Sequence, residues 1–369
     1  MTQFYGKTKI CYGNYALDTL EELPCSKAFV VTDPFMVKSG FADQVTSHLG
    51  RHNVPHSVFS DVEPDPSLET VKKGAAALLT CKADLIIALG GGSAIDTAKG
   101  IAYFACKASS EMNRPTLLAI PTTSGTGSEV TSIAVITDKE HGVKIPLRDE
   151  SLIPDIAVLD ARFTRTVPPS VTAATGMDVL THAIEAYITR NHNAFTDLLA
   201  VQAINYVFKF LLRAYKHMED MEAREMMLLG SCMAGMAFNN SGLGITHSMA
   251  HALGGHFHVP HGLANAVLLP YAIRFNSFDA GVRCRELARV IGLPHENVEE
   301  GTKSLIYAID TLNDAMGIPA RIRDLRIDEK AFFAAVDVMA AHALEDLCTA
   351  TNPRRPSLGD LKELFAQAW

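Results

Sequence analysis

The sequence predicts an α/β domain with a parallel sheet over residues 1–165, followed by an all-helical domain over residues 166–369. Three observations carry this prediction. Apolar strand-like runs alternate with helical segments in the first part. Pro168 and Pro169, within the stretch from Phe163, interrupt both kinds of element and mark the junction. Beyond them the apolar spacing is helical, with no convincing strand.

In chain order, Ala28–Thr32 reads as a buried strand that ends at Asp33 and Pro34. Met36–Leu49 reads as a helix, and Ser57–Phe59 as a short strand closed by the turn through Pro64, Asp65 and Pro66. Ser67–Thr80 reads as a helix whose capping box is weak, because Thr70 stands where Glu is preferred. Asp84–Leu89 is the clearest strand; Thr116–Ile120 and Ile156–Leu159 are two more. Helices are predicted over Ala194–Leu212, Glu222–Phe238, Gly281–Ile291, Val298–Met316 and Glu329–Ala341. The cleft between the domains is the expected site.

At 369 residues the chain exceeds the usual size of one hydrophobic core, and 48% hydrophobic against 20% charged residues is ordinary globular composition. A net charge of −8 argues against nucleic-acid binding, which needs a basic surface. The seven cysteines are scattered and form no CxxC pair, so neither a disulfide framework nor a cysteine zinc site is expected. The N-terminus lacks the apolar stretch of a signal peptide, and no segment has ~18 uninterrupted apolar residues. A cytoplasmic protein with no membrane association is the expectation.

Strand 84–89 runs into Gly90, Gly91, Gly92 and Ser93, and a helix continues to Cys106. Glycines there let a phosphate approach the main chain, and the helix N-terminus supplies free N–H groups and a positive dipole. The pattern departs from GxGxxG because Ile95 holds the third glycine position, and a tight turn without ligand has the same spacing. Asp33, at the end of an earlier strand, suits an adenosine ribose and would repel the extra phosphate of NADP; a turn-forming Asp before Pro34 reads the same way. The run Thr122–Ser128 follows another strand and combines hydroxyls with glycines, fit for phosphate, ribose or carboxamide, or for a solvated loop.

Asp178 and His182 stand four apart, so a helix would project both from one face. His247 and His251 repeat that step, and His256, His258 and His261 follow. Five of the fourteen histidines fall between 247 and 261. One carboxylate with three imidazoles suits a divalent transition metal with open positions. Spacing alone leaves open which histidine after 251 completes the set. A metal of this kind beside a nicotinamide points to alcohol–carbonyl redox chemistry, since the ion polarises the oxygen and the cofactor carries the hydride.

At these residues the chain resembles the iron-containing (group III) alcohol dehydrogenases, through GGGSAIDTAK at 90–99, IPTTSGTGSEVT at 120–131, TGMDVLTHAIEAY at 175–187 and HSMAHALGGHFHVPHGLANA at 247–266. The resemblance implies a Rossmann-like dinucleotide-binding domain and a helical metal-binding domain of the dehydroquinate synthase-like plan. It implies Fe²⁺ on Asp178, His182, His247 and His261, with His251 as the active-site histidine. It implies NAD on Asp33, Gly91, Gly92, Ser93, Asp96, Thr122, Thr123, Ser128 and Lys144. Asp96 would lie at the nicotinamide end, and Lys144 would reach a ribose hydroxyl. His256 and His258 are expected to be structural.

Within the family, TSGTGSEVTS, FHVPHGLANA and TNPRRP are similar to the 1-propanol dehydrogenases of propanediol-utilisation microcompartments. Short primary alcohols and their aldehydes, a homodimer or larger homo-oligomer and microcompartment association are what this implies. The alternatives are a zinc-dependent polyol dehydrogenase, a lyase resembling dehydroquinate synthases, and a noncatalytic scaffold or shell-associated protein that kept the fold.

Overall fold

The computed structural model describes residues 3–110, 112–141 and 143–369. The chain divides into two compact units. One is Gly6–Val167; the other is Pro168–Trp369 with the N-terminal residues through Tyr5.

The first unit runs β1 (Lys9–Tyr12), α1 (Thr19–Glu22), β2 (Ala28–Thr32), α2 (Pro34–Lys38), α3 (Phe41–Arg51), β3 (His56–Phe59), α4 (Leu68–Cys81), β4 (Leu85–Gly90), α5 (Gly92–Ala108), β5 (Thr116–Pro121), β6 (Ile133–Asp138), β7 (Val143–Arg148) and β8 (Ile156–Leu159). Six strands form one sheet in the order β1-β8-β5-β4-β2-β3, with every pairing parallel. Successive side chains of a strand face opposite sides of the sheet. Accordingly Phe29 and Val31 join Ile86 and Ala88 in one core, while Ala28 and Val30 join Leu85, Ile87 and Leu89 in another. Burial on both faces is why these strands read as continuous apolar runs rather than alternating ones.

The chain turns outward from β2 to β3, then reverses from β4 to β5. The strand order therefore has its switch point between β2 and β4, where open parallel sheets bind ligands at the strands' carboxyl ends. Asp33 follows the first of these strands and Gly91 the second.

Three details depart from expectation. The helix expected over Met36–Leu49 is two helices, broken where Gly40 takes φ +77°, a left-handed conformation suited to a residue without Cβ. Strand β1 is short and only partly buried, so it lacks an apolar run. The antiparallel hairpin β6–β7 includes Pro146 and exposed Lys144, which disguise it as loop.

The second unit contains α6 (Pro169–Ile188), α7 (Ala194–Lys216), α8 (Met221–Ser241), α9 (Ile245–Phe257), α10 (His261–Val290), α11 (Val298–Ala315), α12 (Glu329–Glu345) and α13 (Leu358–Ala368). Helix α6 is buried at every position from Gly176 to Ile188, so its apolar residues are not confined to one stripe and its periodicity is hard to read. Helix α7 is long and apolar enough to cross a membrane by composition alone, yet its stripe Ala200, Ile204, Val207 and Leu211 lies in the core of this unit. The helix expected over Gly281–Ile291 is the second half of α10, past a break at Ala280.

Candidate metal centre and dinucleotide turn

Helix α6 presents Asp178, His182 and Glu185 at steps of four and three, on one face. Helix α9 supplies His247, and α10 supplies His261 as its first residue. Asp178, His182, His247 and His261 each offer one ligand atom, and these four atoms lie within 4.8 Å of one another. His261 Nε2 is 3.5 Å and His247 Nε2 3.7 Å from Asp178 Oδ1; His182 Nδ1 is 4.0 Å from Oδ2. The His182 ring stacks between those of His247 and Phe238, both at 4.5 Å.

The close approach of α10 to α6 depends on Gly262, where a Cβ would stand 2.3 Å from the Ala174 carbonyl oxygen. Burial alone would raise the Asp178 carboxyl, but the imidazoles of His182, His261 and His247 outweigh it and hold the group well below the usual carboxylate range.

Glu185 organises the centre from behind. Its carboxylate accepts the N–H groups of Gly244 and Thr246 and lies 2.7 Å from His247 Nδ1. With Nδ1 so engaged, His247 turns Nε2 toward Asp178, and that buried atom has no hydrogen-bond partner among the described residues. A carboxylate on the far nitrogen fixes ring and tautomer in this way at metal-binding histidines. Asn265, one turn into α10, has its amide nitrogen 2.7 Å from Asp178 Oδ1 and 3.1 Å from His261 Nε2. An oxygen and imidazole donor set converging at this distance, three members buried and His261 exposed, fits a divalent transition ion with an open position.

His251 stands beside this cluster, its ring stacked on that of His261 at 5.2 Å. It is 45% exposed, and its Nδ1 lies 2.8 Å from Asp346 Oδ2. Asp346 Oδ1 also accepts Ser248 Oγ and the Cys348 N–H. His256 and His258 are exposed near the end of α9; His258 closes it at φ +56°.

In the α/β unit, Gly91 caps α5 without any side-chain cap, leaving the helix N-terminus open to a ligand. Gly90 has φ +150°, and a Cβ there would meet the Ala94 Cβ at 2.6 Å. Asp33 accepts the Met36 N–H through Oδ1, while Oδ2 lies 3.5 Å from where that Gly90 Cβ would stand. The Thr122–Ser128 loop packs on the turn: the Thr122 N–H donates to the Gly90 carbonyl, Thr123 lies against Gly91 and Thr126 against Gly92. Ser93 is in the first turn of α5. Ser128 Oγ donates to Asp96 Oδ1 at 2.6 Å. Lys144, on β7, pairs with Asp65 at 2.6 Å.

The sequence reading omitted Glu185, Asn265, Asp346, Lys99 and Glu129. Glu185 had a signal, since it lies seven residues after Asp178 on a helical face. Asp346 had none: its partner is 95 residues away.

A phosphate-ready turn at a sheet switch point and a carboxylate–imidazole cluster are together the equipment of a metal-assisted oxidoreductase. The family models for "Iron-containing alcohol dehydrogenase" and "Fe-containing alcohol dehydrogenase family, C-terminal" match residues 7–161 and 172–369. The chain is 42% identical to the NADPH-dependent butanol dehydrogenase of Clostridium saccharobutylicum, over 99% of this chain and 97% of that protein. It is 40% identical to the 1-propanol dehydrogenase PduQ of Citrobacter freundii over the whole of both. A solved structure of a 1,3-propanediol oxidoreductase superposes with a TM-score of 0.94 at 34% identity, covering all of both chains. The chain belongs to the iron-containing alcohol dehydrogenase family. It is an enzyme that interconverts alcohols and aldehydes; use of iron and NAD is typical of the family.

Proposed function

We propose that this enzyme interconverts short linear primary alcohols and their aldehydes, 1-propanol and propionaldehyde or ethanol and acetaldehyde, with Fe²⁺ held by Asp178, His182, His247 and His261. The observation that carries the metal assignment is the convergence of those four donors within 4.8 Å. Glu185 behind His247 supports it, because it aims a bare nitrogen inward. Relatives named for butanol and 1-propanol support the short-alcohol reading.

The cofactor is NAD. The Asp33 carboxylate, its Oδ2 near the glycine turn, supports this preference, since a negative charge beside the adenosine ribose would repel the 2′-phosphate of NADP. Gly91, Gly92 and Ser93 receive the diphosphate at the N-terminus of α5. Asp96, Thr122, Thr123 and Ser128 serve the nicotinamide half, and Lys144 a ribose hydroxyl. When bound, the ion supplies Lewis acidity toward the substrate oxygen and the nicotinamide supplies the hydride-carrying carbon. Asp346 holds His251 by Nδ1, which leaves Nε2 to take the alcohol proton and pass it to solvent. The enzyme acts in the cytoplasm as a homodimer or larger homo-oligomer, and the likeness to PduQ supports association with a propanediol-utilisation microcompartment.

Anaerobic purification with metal analysis, followed by NAD-linked assays across C2–C4 alcohols and glycerol, tests this reading. Iron at one ion per chain and preference for 1-propanol or ethanol are expected. Bound zinc with glycerol preferred would sink it. His261→Ala should lose the metal and most turnover while its helical circular dichroism is retained.

A further inference from the structure

Lys99 is an oddity of α5: a lysine with no exposed side-chain surface, fourth after Ile95 on a buried helix face. Its ammonium is surrounded by four oxygens, Ser128 Oγ at 2.9 Å, the Thr131 carbonyl at 2.9 Å, Thr131 Oγ1 at 3.1 Å and the Ile133 carbonyl at 2.8 Å. An ammonium only donates. Ser128 Oγ is therefore an acceptor toward Lys99, and its single proton goes to Asp96 Oδ1 at 2.6 Å. The other Asp96 oxygen accepts the Val135 N–H at 2.9 Å. Each carboxylate oxygen thus has one hydrogen-bond partner and a further lone pair unspent, and Oδ1 also lies 4.0 Å from the Lys99 ammonium. The same ammonium ties Thr131 and Ile133, at the start of the β6–β7 hairpin, to the helix that carries Asp96.

We propose that Lys99 is a positioning residue for the nicotinamide half of the cofactor: it orients the Ser128 hydroxyl onto Asp96 and so holds the Asp96 carboxylate as an acceptor for the nicotinamide riboside. The inference rests on the placement of Asp96 at that end of the cofactor, given above. Lys99 touches no ligand itself. Buried Glu129 lies in the same charged group, but its Oε1 has no hydrogen-bond partner among the described residues, so the orienting contacts are those of Lys99.

The test is calorimetric titration of the metal-loaded enzyme with NAD and, separately, with ADP, which lacks the nicotinamide riboside. Lys99→Met should weaken NAD by roughly tenfold, the loss of one charge-assisted contact, and leave ADP within about twofold. Equal weakening of both ligands, the mark of a merely structural lysine, or weakening of neither, overturns the proposal. Lys99→Gln, which keeps an N–H donor on a shorter arm, should recover part of the NAD affinity. If Lys99→Met does not fold, the same two titrations on Lys99→Gln decide, with a selective loss of NAD expected. Asp96→Ala separates this inference from its footing. If that variant binds NAD normally, the placement of Asp96 falls; if it loses NAD selectively while Lys99→Met does not, only the role of Lys99 falls.

Discussion

Asp33 divides its two carboxylate oxygens between structure and site. One caps α2 through the Met36 N–H, and the other faces the glycine turn. Both readings of this residue from sequence, turn former and ribose acceptor, are therefore compatible with its position, because a carboxylate has lone pairs enough for each. Asp33→Gly should shift the ratio of kcat/KM for NADP over NAD upward by roughly tenfold or more, since a like-charge contact worth at least ~1.4 kcal/mol is removed. An unaltered ratio would count against the ribose role. The fold should survive, because glycine at an N-cap costs only a few tenths of a kcal/mol. The similarity to an enzyme named as NADPH-dependent makes this measurement the more pointed.

At the scale of the element, α5 and the loop before β6 enclose charges that no local pattern announces. Glu129 is pushed up to about 7 by burial, against the pull of its own backbone N–H and of Lys99. Burial draws Lys99 down to about 8, against the opposing pull of Asp96 and Glu129. For Glu129 the native state keeps a proton up to about 7, whereas the unfolded chain releases it near 4.5. The native state then binds more protons between these values, so stability falls as pH rises through that window. Glu129→Gln should abolish this share of the slope. Urea midpoints of wild type and variant should separate in the variant's favour between pH 4.5 and 7. A constant difference across that range would contradict the assignment. Periodicity found five of the eight strands and most helices here, but it missed β1, the break at Gly40 and the β6–β7 hairpin. A left-handed glycine and a half-exposed hairpin leave little mark on hydrophobic spacing.

Across the whole molecule, chemistry-bearing groups are distributed between two compact units, each with its own core. The four proposed metal ligands belong entirely to the helical one, so metal binding should stabilise that unit without needing cofactor. Stripping the ion with a chelator should lower the midpoint of thermal unfolding, and anaerobic Fe²⁺ at a hundredfold excess over Kd should restore it, a gain of about 2.7 kcal/mol in unfolding free energy. His261→Ala should unfold at the same temperature with and without Fe²⁺. A variant that keeps the full response would remove His261 from the ligand set.

The amino-acid sequence alone determined the α/β-then-helical order, the glycine turn after a strand, and two pairs at a four-residue step, Asp178 with His182 and His247 with His251. These are short-range facts, written in periodicities of two and 3.6 residues that neighbouring positions share. Only the tertiary structure decided which atoms meet: His261 with Asp178 across 83 residues, Glu185 on His247, Asp346 on His251, and Lys99 on Ser128. Partners this far apart in the chain carry no common local pattern. Their contact is set by how whole helices pack, through features such as the missing Cβ of Gly262 against Ala174.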